Sequence, residues 1–199
     1  FKEIMNQSLC DTRIAQDLIA VFDRDSACKF LSTPLLFYKG FMALQIHRIS
    51  NTLWLEKQPT IALSLQAIIS SNYAIDIHPN AKIGYGVMLD HATGIVIGET
   101  AIIDDNVSIM QSVTLGGTGK HSGDRHPKIR SNVLIGPSAT ILGNIEIGNG
   151  SLIGAASVVL ESVPPRSIVA GVPAKKIGHT DGFSPSISMD QIFLKNSDH

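Results

Sequence analysis

At 199 residues the chain is long enough to bury a core without disulfide or metal staples. A formal net charge of -1 and a sequence pI of about 6.7 exclude the concentrated positive excess of a nucleic-acid surface. The most apolar stretch, TIALSLQAIISSNYAI from Thr60, is broken by Ser, Gln and Asn before it reaches the ~20 residues of a membrane span.

Residues 1–75 read as an α-helical domain. Ile4, Met5, Leu9, Ile14, Leu18 and Ile19 recur at helical spacing, and a native start upstream of Phe1 is expected. Asp25 stands where an N-cap would precede SACKFL, and Thr33-Pro34 repeats the start signal ahead of LLFYKGFMALQIHRISNTLWLE. Gln58-Pro59-Thr60 opens a further helix running to about Ser71, giving four or five helices in all. Cys10 and Cys28 lack Cys-x-x-Cys spacing and read as reduced packing thiols of a cytoplasmic protein.

Backbone demands then change. Gly40 is the only glycine before Gly84, and the other sixteen lie from there onward. Aliphatics recur every six residues at thirteen positions in three runs: Ile77 to Leu89, Ile97 to Leu115, and Ile129 to Val159. A helix cannot keep period-six residues on one face, because six steps leave each about 120° from the last. Short strands joined by tight turns can, so residues 76–177 are expected to form a solenoid of stacked coils with small residues at its corners.

Two interruptions carry the chemistry. After Leu89, Asp90-His91-Ala92-Thr93-Gly94 shifts the phase by two residues before Ile97. Asp90 and His91 should point outward there; an imidazole on a rigid corner beside a carboxylate suits a general base, and it equally suits an ordinary surface histidine. Between Leu115 and Ile129 an insertion, loop 116–128, leaves the solenoid and returns in phase. Its Gly116, Gly117 and Gly119 allow close backbone approach, Arg125 offers a planar fork for a carboxylate, and His126 adds a titratable ring.

The hexads resemble those of hexapeptide-repeat acyltransferases, which implies an α+β fold: helices followed by a left-handed parallel β-helix with one extended loop. DIHPNAKIGYGVMLDHATGIVIGETA, SIMQSVTLGGTGKHSGDRHPKIR and AGVPAKKIG are similar, more narrowly, to the serine acetyltransferase family, over roughly residues 20 to 190. That resemblance implies acetyl transfer from acetyl-CoA to the hydroxyl of L-serine in cysteine biosynthesis, feedback inhibition by L-cysteine, and a homotrimer or hexamer joined through the helical part. It places the catalytic histidine on His91 and its partner on Asp76. The serine pocket falls on Asp25, Asp90, Arg125 and His126, acetyl-CoA contacts fall on Gly117, Ala156 and Lys175, and no metal is implied.

The carried-over types suit the chemistry. A serine hydroxyl needs a base, its ammonium needs carboxylates and its carboxylate a guanidinium. Asp76 and His91 are fifteen residues apart rather than the roughly eighteen of a three-hexad coil, so stacking does not pair them, and contact within one protomer or across a trimer stays open. His78 reads as a spare corner residue. Residues 178–199 lose the hexads and read as an extended or mobile tail; family members that bind O-acetylserine sulfhydrylase end in isoleucine, whereas this chain ends Asp198-His199, so that partner is not expected. Competing readings are an acetyltransferase for sugars, a zinc enzyme of the β-helical carbonic anhydrase kind using His78, His91, His121 and His126, and a purely structural solenoid.

Overall fold

The computed structural model of the chain describes residues 12–119, 122–180 and 184–191. Cys10, Lys120 and His121 lie outside them. Four helices open the described chain: α1 (Thr12–Arg24), α2 (Ser32–Phe37), α3 (Lys39–Leu55) and α4 (Pro59–Tyr73). The two N-caps expected from sequence are not formed. Asp25 instead closes the turn after α1, its Oδ1 accepting from the Ala27 N–H at 2.8 Å. Helix α2 starts at Ser32, one residue before Thr33, with no side-chain cap. The long run after Pro34 is also not one helix, because Tyr38 adopts φ -90° and ψ 106° and separates α2 from α3.

The hexads behave as expected. Each of the thirteen aliphatics is the second residue of a short strand, from β1 (Asp76–Ile77), β2 (Lys82–Ile83) and β3 (Met88–Leu89) to β12 (Leu152–Ile153) and β13 (Val158–Val159). Successive strands fall on three parallel sheets that form the faces of a left-handed prism: β1, β4, β7, β10 and β13 on face A, β2, β5, β8 and β11 on face B, β3, β6, β9, β12 and β14 on face C. The register is in phase, Ile141 on Leu115 and Ile153 on Ile135. Each aliphatic projects into one continuous core, and the small residues four positions on, such as Ala81, Ala101, Ser151 and Ser157, are fully buried at the corners. The interruptions are absorbed at edges without breaking the stack: Ile97 still pairs with Ile77, and Ile129 with Ile103.

The three faces differ in what covers them. On face C the outward residues Met88, Ser108, Leu134 and Leu152 are buried. Met88 packs on Val21 and Phe41 of the helices, and Leu134 and Leu152 pack on Met189. Face A presents Val96, Thr114, Thr140 and Val158 partly open, with Val96 39% exposed. A buried ion pair fastens helices to prism: Arg48 Nη2 lies 2.7 Å from Asp17 Oδ2, the same guanidinium donates to the carbonyls of Ile83 and Gly84, and Asp17 Oδ1 accepts the Val87 N–H.

The tail corrects its expectation. Strand β14 (Ser167–Gly171) turns back as β15 (Ala174–His179), and α5 (Pro185–Ser188) docks on face C. Arg24 donates to Ser108 Oγ at 3.1 Å, and that hydroxyl donates to the Ser186 carbonyl at 2.8 Å. Thr180 Oγ1 donates to the Gly150 carbonyl. A four-residue helix is too short to show a period, so hydrophobic spacing gave no sign of it.

Candidate functional site

The first cluster lies on the edge where face C turns into face A. His91 and Ala92 both sit in the left-handed region, at φ 54° and 64°. Two successive non-glycine residues there are costly, and such strain persists only where neighbours impose it. Here the Gly94 N–H donates to the Ala74 carbonyl at 2.7 Å and the Ser112 N–H to the Thr93 carbonyl at 2.8 Å. The result presents the His91 ring to solvent, 72% exposed, while the Asp90 side chain is 16% exposed. Both side chains leave the prism as expected, His91 toward solvent and Asp90 into the space that helices α1 and α3 roof over.

Between helices and corner lies a cavity of about 330 Å³ walled by Asp25, Tyr38, Asp90 and His91 above an apolar floor of Val21, Phe41 and Met88. Burial raises the Asp90 carboxyl above its usual range, nearby Asp25 raises it further, and His91, 3.7 Å away, opposes both. Gly40 lets α3 come this close: a Cβ there would stand 2.1 Å from the Leu89 carbonyl oxygen. Lys39 hydrogen-bonds Thr93 Oγ1, pinning the same corner. Two acids beside an exposed imidazole can bind an ammonium group and take a proton from a neighbouring hydroxyl.

The second cluster lies on the other border of face A, where it turns into face B. The returning end of the loop is tied to the corner below it: Arg125 N–H and His126 N–H both donate to Thr100 Oγ1, at 3.0 and 3.2 Å, and Arg125 Nη2 reaches Glu99 Oε2 at 2.7 Å. His126 Nδ1 accepts the Thr100 N–H at 3.2 Å, so the neutral ring carries its proton on Nε2. Burial and then the Arg125 charge lower the His126 pKa, favouring that neutral form. The ring lies on Gly98, where a Cβ would approach it to 2.1 Å. Arg125 holds Glu99 ionised, below the usual carboxylate range.

Asp76 and His78 belong with this second cluster. Gln66 Nε2 donates to Asp76 Oδ1 at 2.6 Å, and His78, whose ring meets Trp54 edge-on, feels the charges of Glu99, Asp76 and Arg125. The first cavity therefore unites Asp25, Asp90 and His91 but not Asp76, Arg125 or His126. Of the remaining expected residues, Gly117 lies beside Arg125: a Cβ there would stand 3.6 Å from the Arg125 Cγ. Ala156 sits on the same prism edge as His91, three coils up: its N–H donates to the Pro137 carbonyl, Ser138 N–H to Gln111, and Ser112 N–H to Thr93. Lys175 borders a cleft of about 470 Å³ at the end of the coils. Sequence reasoning missed Tyr38, Glu99 and Thr100; the last two follow an Ile-Gly corner, the place where the other polar groups also fall. Among the described residues, no group of three or more His, Cys, Asp or Glu side chains is arranged to hold a metal ion. No helix among them is long and apolar enough to cross a membrane.

Comparison with known proteins bears on the family and the fold. A family model described as serine acetyltransferase, N-terminal, matches residues 1–46, and one described as bacterial transferase hexapeptide (six repeats) matches residues 126–161. The chain is 59% identical over 179 residues to the serine acetyltransferase of Salmonella typhimurium, covering 90% of this chain and 66% of that relative. It thus spans about two thirds of the length of that curated relative. A solved serine acetyltransferase in complex with cysteine matches with a TM-score of 0.92 and 50% identity, over 96% of this chain and 76% of the other. A serine acetyltransferase from Brucella abortus strain S19 in complex with coenzyme A matches with a TM-score of 0.84 and 54% identity, over 85% and 68% of the two chains.

Proposed function

The chain belongs to the serine acetyltransferase family, and from that premise we propose that it transfers acetyl from acetyl-CoA to the hydroxyl of L-serine, yielding O-acetyl-L-serine and CoA. The observation that carries the reading is the division of polar groups between two prism edges that border one face. One edge offers two carboxylates and an exposed imidazole, the other a guanidinium. A zwitterionic amino alcohol needs both halves.

In this reading Asp25 and Asp90 take the ammonium of serine and Arg125, with His126 beside it, takes its carboxylate. His91 accepts the hydroxyl proton as the oxygen attacks the thioester carbon, then returns it to the departing thiolate of CoA. The halves meet when one edge of a protomer faces the other edge of its neighbour. Such a head-to-tail contact forms a ring where its rotation closes, and the partly open Val96, Thr114, Thr140 and Val158 of face A lie between the edges that would join. The ring we propose is the homotrimer, or hexamer of two trimers, that the family resemblance implies. It brings Asp76, on face A in register with Val96, toward the His91 of another copy to orient its ring. Acetyl-CoA would run along the seam past Ala156 and Gly117, with Lys175 near its phosphates. L-cysteine would inhibit by presenting the same ammonium and carboxylate. The buried, unpaired Cys28 fits a reducing cytoplasm.

The test is release of free CoA thiol from acetyl-CoA with L-serine, L-homoserine and acceptor sugars offered separately. A clear preference for L-serine is expected, and equal rates on all three would defeat the assignment.

A further inference from the structure

Asp76 opens β1, the end strand of face A, so no further coil lies beyond its carboxylate on that side. Helix α4 packs there instead. Its end is set by Ala74, whose left-handed backbone, φ 54° and ψ 44°, turns the chain so that β1 starts beside the helix it has just left. The turn brings Gln66, about two helical turns before the end of α4, against the strand. Its Nε2 donates to Asp76 Oδ1 at 2.6 Å.

A carboxylate oxygen only accepts, so the amide must present its N–H end here, and the distance is that of a short, charge-assisted bond. The bond fixes Oδ1 against rotation of the carboxylate and leaves Oδ2 for another donor. In the same chain that donor is not His91, whose ring pairs with Asp90 at 3.7 Å. The register partner of Asp76 is Val96, apolar and 39% exposed, so the face around the carboxylate is open to a second copy. Fastening α4 to the prism does not need the bond, because Ile69 and Ile75 are already fully buried in the common core.

We infer that Gln66 is a positioning residue, whose amide holds the Asp76 carboxylate with Oδ2 turned out from face A to receive a ring N–H of the His91 of the neighbouring copy. The inference rests on the proposed reaction and its two-copy site, and adds the residue that fixes the partner of the base.

Gln66→Met removes the donor and keeps the length and helix preference of the side chain. The expected result is kcat lowered about tenfold, the low end for loss of a hydrogen bond to a charged group. Both KM values should stay within about twofold, because Gln66 acts through Asp76 and not on a substrate. In an Asp76→Ala background the same change should add less than about twofold, since the pair acts as one unit. An unchanged kcat, an undiminished effect in that background, or raised KM values with a lowered Tm would overturn the inference.

Which copy Gln66 serves is read by refolding mixtures of Arg125→Ala and His91→Ala chains. The joint that regains activity takes its His91 from the first chain and its Asp76 from the second. Gln66→Met on the His91→Ala chain should therefore lower the recovered activity about tenfold, and on the Arg125→Ala chain should leave it unchanged. Equal losses in both placements, a loss confined to the Arg125→Ala chain, or no recovery in any mixture each overturn the assignment.

A third readout needs no turnover. In amide spectra of the isotope-labelled protein, the side-chain resonances that Gln66→Met deletes should move in Asp76→Ala, and no movement overturns the contact. A parent inactive on L-serine defeats the proposed function, while these resonances still decide whether Gln66 holds Asp76.

Discussion

Gly40→Ala isolates what the close approach of helix to corner is worth. In an isolated helix the change would stabilise by up to about 1 kcal/mol. Here the new Cβ would stand 2.1 Å from the Leu89 carbonyl oxygen and 3.0 Å from the Ala92 Cβ, where real Cβ atoms essentially never come closer than 3.0 Å. The obstacle is backbone, so α3 must retreat by about 1 Å, and overpacking of this kind costs about 1–3 kcal/mol. A net loss of about 2 kcal/mol is expected, or a Tm lower by about 4–8 °C for a chain of this size. Because Tyr38 and Lys39 lie at the start of α3 and Asp90 and His91 on the facing corner, the same retreat opens the cavity, and a displacement of that size can cost up to ~100-fold in rate. Thermal melting and steady-state kinetics on the purified variant measure both. A Tm equal to or above that of the parent would refute the reasoning, since helix propensity would then outweigh contact with the corner.

Three further outcomes are expected. His91→Ala should lower kcat at least ~100-fold with KM values little changed, the usual minimum for a positioned base; near-normal turnover would mean the proton goes elsewhere. Asp17→Ala should cost about 3–5 kcal/mol in urea denaturation by stranding the buried Arg48 charge, and the double change Asp17→Leu, Arg48→Met should cost less; equal losses would contradict the pair's role. His47 is fully buried and burial lowers its pKa from 6.5 to about 3. The unfolded chain therefore binds a proton that the folded chain refuses, so stability should fall as pH drops from about 6.5 toward 3, and His47→Gln should flatten that slope in urea titrations at several pH values.

Much of this was legible in the sequence because the prism is periodic. A residue whose neighbours repeat every six positions has no alternative to a short strand, and each hexad aliphatic duly ends inside the core. The insertions were legible too, as breaks in phase. Their separation onto two edges follows from closure of the coil: counting strands in threes puts His91 after β3, at the end of face C, and Arg125 before β8, at the start of face B. The helical part was less legible. Nothing in FYKGF marks Tyr38 as a break, since the run contains no proline and its one glycine lies two residues further on, inside α3. Asp25 looked like a cap for the same reason that it suits a turn: its short carboxylate accepts a backbone N–H two residues on in either setting.

The account depends on each site being assembled from two copies of the chain. Mixing unfolded His91→Ala and Arg125→Ala chains, each nearly inactive alone, and refolding them together tests this directly. A ring built from an equal mixture should regain roughly a quarter of the parental activity per site, since a quarter of the joints then unite an intact His91 edge with an intact Arg125 edge. A mixture no more active than its two components would contradict the account, because both groups would then have to come from the same chain.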